Sequence, residues 1–275
     1  VRPFANFMGV CQGDPKPGQS HWQHLSWCRH DFSWQRTQPK GSDSWDEAYV
    51  AAWKKRILTN REQGVETLPT FSYTAVWAAR RRAWSFTIGK KRYDVAAFTD
   101  GDPRQREATE TDLDTGKAIP KTFKASRIPP QDVRHWQAFV ESAVTELSQA
   151  PYHVKYFQIW NEANDPFTGF WVGGMDEYMT EIHLPAAKII RAHGGKVVYG
   201  GYPCNGSIPH YLATLDRHHA WDTLDVLDVH YFGMAAWDQL FNRVQRDGRQ
   251  LAIWQTEVGF TRSREWVPNN YPRFF

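Results

Sequence analysis

The sequence predicts a (β/α)8 barrel. Three observations predict it. Short apolar strands alternate with longer helical stretches seven times, 275 residues suit one large barrel-type domain or two small ones, and no glycine-rich nucleotide loop is present. Strands separated by helices pair in parallel through right-handed crossovers. The absence of GxGxxG and of GxxxxGK[ST] argues against a doubly wound nucleotide-binding sheet.

Residues 4–11 (FANFMGVC) read as the first strand and 25–32 (LSWCRHDF) as the second. Residues 45–62 have helical spacing, with Trp45, Tyr49, Ala52, Trp53, Arg56 and Ile57 about one turn apart, and Gly64 stops the helix. Residues 65–72 (VETLPTFS) form a third strand. Residues 78–127 then break the rhythm with RRR, KKR and the turn-rich DGDPRQREATETDLDTGK, and 95–98 are expected to pair with 84–88 as a hairpin. This insertion holds 12 Lys/Arg against 7 Asp/Glu, whereas the rest of the chain is slightly acidic.

The rhythm resumes with an amphipathic helix over 131–148, whose stripe is Trp136, Phe139, Val140, Ala143, Val144 and Leu147. Strand four follows at 156–160, a helix at 175–192 and strand five at 196–202. A helix at 208–218, strand six at 226–232, a helix at 237–245 and strand seven at 251–257 complete the series. No eighth strand is identifiable, because TRSREWVPNNYPRFF reads as loop. The expectation is therefore a single barrel domain over 1–275 whose C-terminal end is missing, since an open barrel would expose a sheet edge.

Composition excludes several classes. Charged residues at 23% and a mean hydropathy of -0.63 describe a globular chain, and the apolar runs are too short for a membrane-spanning helix. The start, VRPFANFMGV, lacks the pattern of a signal peptide. Three cysteines without CxxC spacing make no disulfide framework, and Cys11 and Cys28 read as buried thiols on adjacent strands. A net charge of +3 does not argue for nucleic acid. His21 and His24, like His218 and His219, lack a carboxylate at ligand spacing and read as ordinary histidines, so no metal or organic cofactor is expected.

Barrel enzymes draw their reactive groups from the C-terminal ends of strands. Strand four ends in Trp160-Asn161-Glu162 and strand seven in Thr256-Glu257. Two carboxylates facing each other across a cleft can cleave a glycosidic bond, one as acid toward the leaving oxygen and the other at the anomeric carbon. IWNEAN at 159–164 and IWQTEVGF at 253–260 resemble the acid/base and nucleophile motifs of the clan A glycoside hydrolases, the barrel clan that includes families 5 and 39. The resemblance implies Glu162 as acid/base, Glu257 as nucleophile and Asn161 as a partner of the sugar 2-hydroxyl. It also implies Arg29 on strand two beside the nucleophile, and His230-Tyr231 at the end of strand six. It covers most of residues 4–260, interrupted by the insertion. The chain departs from the clan at Ser72-Tyr73, where a His or Asn is common, and at the missing strand eight.

The resemblance therefore implies a retaining β-glycoside hydrolase acting on an oligo- or polysaccharide. A glycan-binding barrel without catalysis and a transglycosylase with the same residues are the competing readings. Trp34, Trp77 and Trp171, in loops after strands two, three and four, and Tyr73 are candidates for sugar stacking. Trp53 and Trp136 lie on helical stripes and are expected in the core. The basic insertion reads as a solvated subdomain beside the cleft, as a recognition surface for an acidic sugar, or as a contact with a partner. No nucleic-acid or membrane partner is expected, and the oligomeric state stays open. A polysaccharide substrate would favour a secreted or periplasmic setting.

Overall fold

The computed structural model describes residues 9–13, 25–163 and 170–257. Strands β1 (Gly9–Cys11), β2 (Trp27–Ser33) and β3 (Glu66–Ser72) pair in parallel, and helices α1 (Trp34–Thr37) and α2 (Glu47–Glu62) connect the second to the third. The insertion forms its own antiparallel sheet from β4 (Trp84–Ile88), β5 (Lys91–Val95), β6 (Gln105–Asp112) and β7 (Ala118–Lys124). The barrel continues through α3 (Val133–Ser148), β8 (Tyr156–Ile159), α4 (Met175–Glu177), α5 (Leu184–Ala192), β9 (Lys196–Val198) and β10 (Tyr202–Pro203). It closes with α6 (Ile208–Arg217), β11 (Val226–His230), α7 (Met234–Arg246) and β12 (Ala252–Glu257). Every pairing in this larger sheet is parallel, in the order β1-β2-β3-β8-β9-β11, with β10 and β12 also pairing β11. The sheet curls strongly enough to bring Cys11 Sγ, at the end of β1, within 3.8 Å of Glu257 Oε2 at the end of β12.

Strand alternation sorts side chains into layers. At the lower end, the rings of Trp27, Tyr156 and Trp254 lie 5.2–5.4 Å apart and pack with Leu68, Val198 and Val226. Two residues further along each strand the filling turns polar, with Arg29, Thr70, Gln158, Asp228 and Thr256. Outside the sheet, Phe32, Phe71 and Phe157 meet the buried stripe of α3, in which Trp136, Phe139, Val140, Ala143, Val144 and Leu147 are all fully buried. Each such large apolar side chain contributes roughly 1.5–3 kcal/mol on burial. Asp132 caps α3 by accepting from the Arg134 amide.

Several expectations need correction. Strand β4 pairs with Lys91–Val95 rather than with 95–98, because Gly89, at φ +57°, closes a tight turn directly after Ile88. The turn-rich tail of the insertion contributes two further strands. The helix expected over 175–192 holds a π-helical segment, Tyr178–His183, between α4 and α5. Strand five is broken between β9 and β10, which pair in succession with β11. The expected strand portion 4–8, His21 and His24, and the loop-like tail from 258 lie outside the described residues.

The break in strand five has a steric reason. A Cβ on Gly201, at φ +66°, would overlap the imidazole of His230, and one on Gly200 would strike the Ile159 carbonyl oxygen. The substitution Gly201→Ala is expected to cost about 2–4 kcal/mol, from overpacking and left-handed strain together. Gly64→Ala, at φ +75° but with open space around it, should cost only about 1 kcal/mol. Urea midpoints of the two variants measure the difference; equal losses would refute the steric account.

Candidate active site

The upper ends of the strands concentrate unusual backbone. Gln12, Tyr73, Trp160, Glu162 and Tyr231, all non-glycine, hold left-handed conformations just past β1, β3, β8 and β11. Such strain gathers where a fold must aim side chains rather than continue a ladder. After β8, the turn at Trp160 sends its ring outward against Trp136 and Trp171. The following Asn161 and Glu162 are both buried, and the Glu162 amide donates to the Gly200 carbonyl at 2.7 Å. On β12 the register with β11 slips by one residue between Asp228 and His230, so His230 stands opposite Glu257. This bulge lets Thr256 and Glu257 both turn toward the barrel axis, which strict alternation would forbid.

The two carboxylates meet around His230. One ligating atom from each of Glu162, His230 and Glu257 can be chosen so that all three lie within 4.8 Å of one another. His230 Nδ1 is 3.0 Å from Glu162 Oε1 and 3.8 Å from Glu257 Oε2. Glu257 accepts from Tyr231 Oη at 2.7 Å and from Arg29 Nη1 at 3.0 Å. Arg29 is almost fully buried and spends its whole fork here, with Nε on Gln158 Oε1 and Nη2 on Asn161 Oδ1, both at 2.5 Å. Cys11 Sγ accepts from Arg29 Nη1 at 3.1 Å. Three acidic and imidazole groups at this spacing could hold a cation, but the Arg29 guanidinium already supplies the positive charge that Glu257 needs.

Electrostatics separate the two acids. Burial pushes the Glu257 carboxyl up, but the Tyr231 hydrogen bond and the charges of His230 and Arg29 outweigh it and leave it below its ordinary value. Glu257 is therefore an ionised carboxylate at neutral pH. Burial pushes His230 down, but the hydrogen bonds of Asp228 and Glu162 more than compensate and raise it. Burial raises Tyr231 further above neutrality, so it stays a donor to Glu257.

The structure thus brings Arg29, Asn161, Glu162, His230, Tyr231 and Glu257 into one cluster. The tryptophans divide differently. Trp34 and Trp171 are fully buried, so neither presents a face to a sugar: Trp34 packs on Trp136 and Phe139, and Trp171 on Trp160 and Tyr178. Trp77 packs edge-on against Trp34 and donates to the Gln38 carbonyl at 2.7 Å. Tyr73 is half-buried beside Trp160 and Phe170. Trp53 and Trp136 lie in the core. Cys28 is buried, whereas Cys11 is only half-buried and stands in the polar cluster rather than among apolar neighbours. Much of the insertion's positive charge is paired locally, as in Lys91 and Lys121 on Glu110 and Arg80 on Glu177 and Glu181.

Sequence reasoning passed over Gln158, Asp228 and Thr256. Gln158 accepts from Arg29 and Thr70 and donates to Asp228, and Asp228 accepts from the Thr256 amide at 2.9 Å and the Thr256 hydroxyl at 2.6 Å. Their signal was a polar residue in or at the end of an apolar run: Gln158 in YFQIW, Asp228 two positions before His230 in VLDVH, and Thr256 directly before Glu257.

No protein-family model and no curated protein matches the sequence. Solved structures do match the fold. The chain is similar to a monomeric β-xylosidase from Caulobacter crescentus CB15, with a TM-score of 0.56 and 14% identity over 96% of this chain and 54% of that one. A family 39 glycoside hydrolase from the gut symbiont Bacteroides cellulosilyticus WH2 matches with a TM-score of 0.54 and 14% identity, over 93% of this chain and 49% of that one. An exo-β-1,4-mannosidase from Opitutaceae bacterium strain TAV5 matches with a TM-score of 0.52 and 13% identity, over 91% and 42%. The chain spans about half the length of these structures and shares their TIM-barrel fold.

Proposed function

We propose that the chain carries the catalytic barrel of a retaining β-glycoside hydrolase that acts on an oligo- or polysaccharide. Glu257 attacks the anomeric carbon while Glu162 protonates the leaving oxygen, so the glycosidic C–O bond breaks as the Glu257–carbon bond forms. Glu162 then takes a proton from water, whose oxygen displaces Glu257 and releases the sugar with its original anomeric configuration. Asn161, oriented by Arg29, is placed to receive a sugar hydroxyl. Tyr231 and Arg29 keep Glu257 ionised and aimed.

The observation that carries the reading is the spacing of the carboxylates. Oxygens of Glu162 and Glu257 lie within 4.8 Å of each other. So close an approach of one oxygen from each favours retention, whose carboxyl groups stand roughly 5–5.5 Å apart, over inversion, whose pair admits a water at roughly 6.5–9.5 Å. The β-xylosidase and the exo-β-1,4-mannosidase that share the fold support a β-linked substrate. A panel of aryl β-glycosides followed by proton NMR tests the reading. The expected first product is the β-anomer of the sugar; an α-anomer would refute retention, and binding without turnover across the panel would favour a glycan-binding barrel.

A further inference from the structure

Beneath the two carboxylates lies a buried acid that the proposed chemistry does not use. Asp228 sits on β11 two residues before His230, fully enclosed in the barrel. Its hydrogen-bond directions can be settled by elimination. Asp228 Oδ1 accepts from the Thr256 amide at 2.9 Å, which can only donate. Asp228 Oδ2 accepts from the Gln158 side-chain amide and stands 2.6 Å from Thr256 Oγ1. With two amide donors already on its oxygens, Asp228 serves as the acceptor for the Thr256 hydroxyl too, whose hydrogen points at Oδ2. Thr256 Oγ1 then faces His230 Nε2, 3.0 Å away, with a lone pair only. Asp228 Oδ2 itself lies 3.4 Å from the same nitrogen. Both groups facing Nε2 are acceptors, so Nε2 carries a hydrogen.

The consequence appears on the other side of the ring. Nδ1 faces Glu162 Oε1 at 3.0 Å. If His230 is neutral, Nδ1 is a lone pair and Glu162 must be the donor; if His230 is charged, Nδ1 donates to an ionised Glu162. Either way one proton lies between the two atoms. We propose that Asp228 is a positioning residue that, through Thr256, holds the His230 hydrogen on Nε2 and thereby keeps one shared proton between Nδ1 and Glu162. This inference rests on the glycosidase reading, in which that proton is the one delivered to the leaving oxygen. On delivery Glu162 becomes a carboxylate and His230 is left neutral with its Nε2 hydrogen; the proton from attacking water later refills the pair.

The charged groups around His230 agree with this arrangement. Asp228 lies on its own strand, Glu162 follows β8, Glu257 ends β12 and Arg29 lies across on β2. Three of these are acids and one is a cation that is held by Glu257 and the two amides. His230 and Asp228 are both fully buried and Thr256 is half-buried between them, so the carboxylate at 2.6 Å is the group that directs the hydroxyl.

The test is Asp228→Asn. The Thr256 amide should hold the side-chain oxygen in place, which puts the NH2 where Oδ2 was and leaves the Gln158 amide, which donated to Oδ2, to its other acceptor, the Tyr199 carbonyl. Thr256 then turns its hydroxyl hydrogen toward His230, the ring hydrogen moves to Nδ1, and Glu162 is left ionised with nothing to give. For an aryl glycoside with a poor leaving group, kcat should fall on the order of 10²-fold with little change in KM. For a dinitrophenyl glycoside, which needs no acid, the loss should be at least about tenfold smaller. The basic limb of the pH profile should move down by about one unit or more, since an ionised Glu162 is now preferred. Equal losses on both substrates with an unmoved basic limb would overturn the proposal in favour of a merely structural Asp228.

NMR of the nitrogen-labelled His230 ring supplies a readout that needs neither substrate nor the variant. In the unaltered protein Nε2 should be protonated at neutral pH, and a neutral ring with its only hydrogen on Nδ1 would overturn the proposal. A protein that shows the expected ring state yet cleaves no glycoside would refute the glycosidase reading separately. Thr256→Ser, which keeps the hydroxyl, should retain the wild-type pH profile, and a shifted basic limb in that variant would count against the relay.

Discussion

Glu257→Ala is expected to lower kcat on an aryl β-glycoside by on the order of 10⁴–10⁶-fold, the loss typical when a covalent nucleophile is removed. The size follows from what Glu257 would do at once: it attacks the anomeric carbon, and as an anion held by Arg29 and Tyr231 it stabilises the positive charge that grows there. Removing the carboxylate also opens a small cavity beside two donors, Arg29 Nη1 and Tyr231 Oη. Azide fits this chemistry, since it is a small anion that can occupy the same place and attack from the same face. Added azide should therefore restore turnover and give a glycosyl azide of inverted, α configuration. The matching Glu162→Ala variant should behave differently, with a severe loss on poor leaving groups and a mild one on dinitrophenyl glycosides. If Glu257→Ala kept a rate within about tenfold of wild type, a different nucleophile would be required. If rescue gave the β-azide, Glu257 and Glu162 would have to exchange roles.

The contrast between these residues and the ones beneath them shows what the sequence makes legible. Glu162 and Glu257 stand out because each ends an apolar run, and a carboxylate there has few bland explanations. Arg29 and Tyr231 were reachable only through the ordered motif, because a lone arginine on a strand reads equally well as a surface ion pair. Asp228, Gln158 and Thr256 carry the same polarity-in-an-apolar-run signal, yet their significance depends on which faces meet inside the barrel. That register is partly set by features with no sequence period, namely the bulge opposite Asp228 and the left-handed turns at Trp160 and Glu162. Trp34 and Trp171 failed for a related reason. Their positions after strands suggest the mouth, but an indole gains as much from a core as from a sugar, and both rings fill space behind the sheet. Strand β6 was hidden because its inward positions include Arg106 and Glu110, whose charges are satisfied by backbone carbonyls and by two lysines. A charged residue turned inward and paired erases the alternation that identifies a strand.

Arg29→Met should produce the largest combined effect on stability and activity. Methionine matches the aliphatic stem of arginine but ends before the fork. It leaves Gln158 Oε1, Asn161 Oδ1 and Glu257 Oε2 without the donors that the fork supplied at 2.5–3.0 Å. Removing one partner of a buried ion pair typically costs about 3–5 kcal/mol. Glu257 is about a quarter exposed and water recovers part of its solvation, so about 3 kcal/mol is the expected loss. At about 2–3 °C per kcal/mol for a domain of this size, Tm should fall by roughly 6–9 °C. Catalysis should suffer independently, because the same fork aims Asn161 and holds Glu257 ionised. With the cation gone, the Glu257 carboxyl rises and the acid limb of the pH profile moves to higher pH. The sign is fixed by the charge: a carboxylate losing a cationic neighbour is harder to ionise, so activity should be lost first at low pH. Arg29→Lys separates the two roles. An ammonium restores the charge beside Glu257 but cannot span Gln158, Asn161 and Glu257 from one plane. It should therefore return the acid limb toward its wild-type position while leaving much of the stability loss. Should lysine instead restore Tm and activity together, the guanidinium would be acting only as a point charge, and the fork geometry would carry no weight.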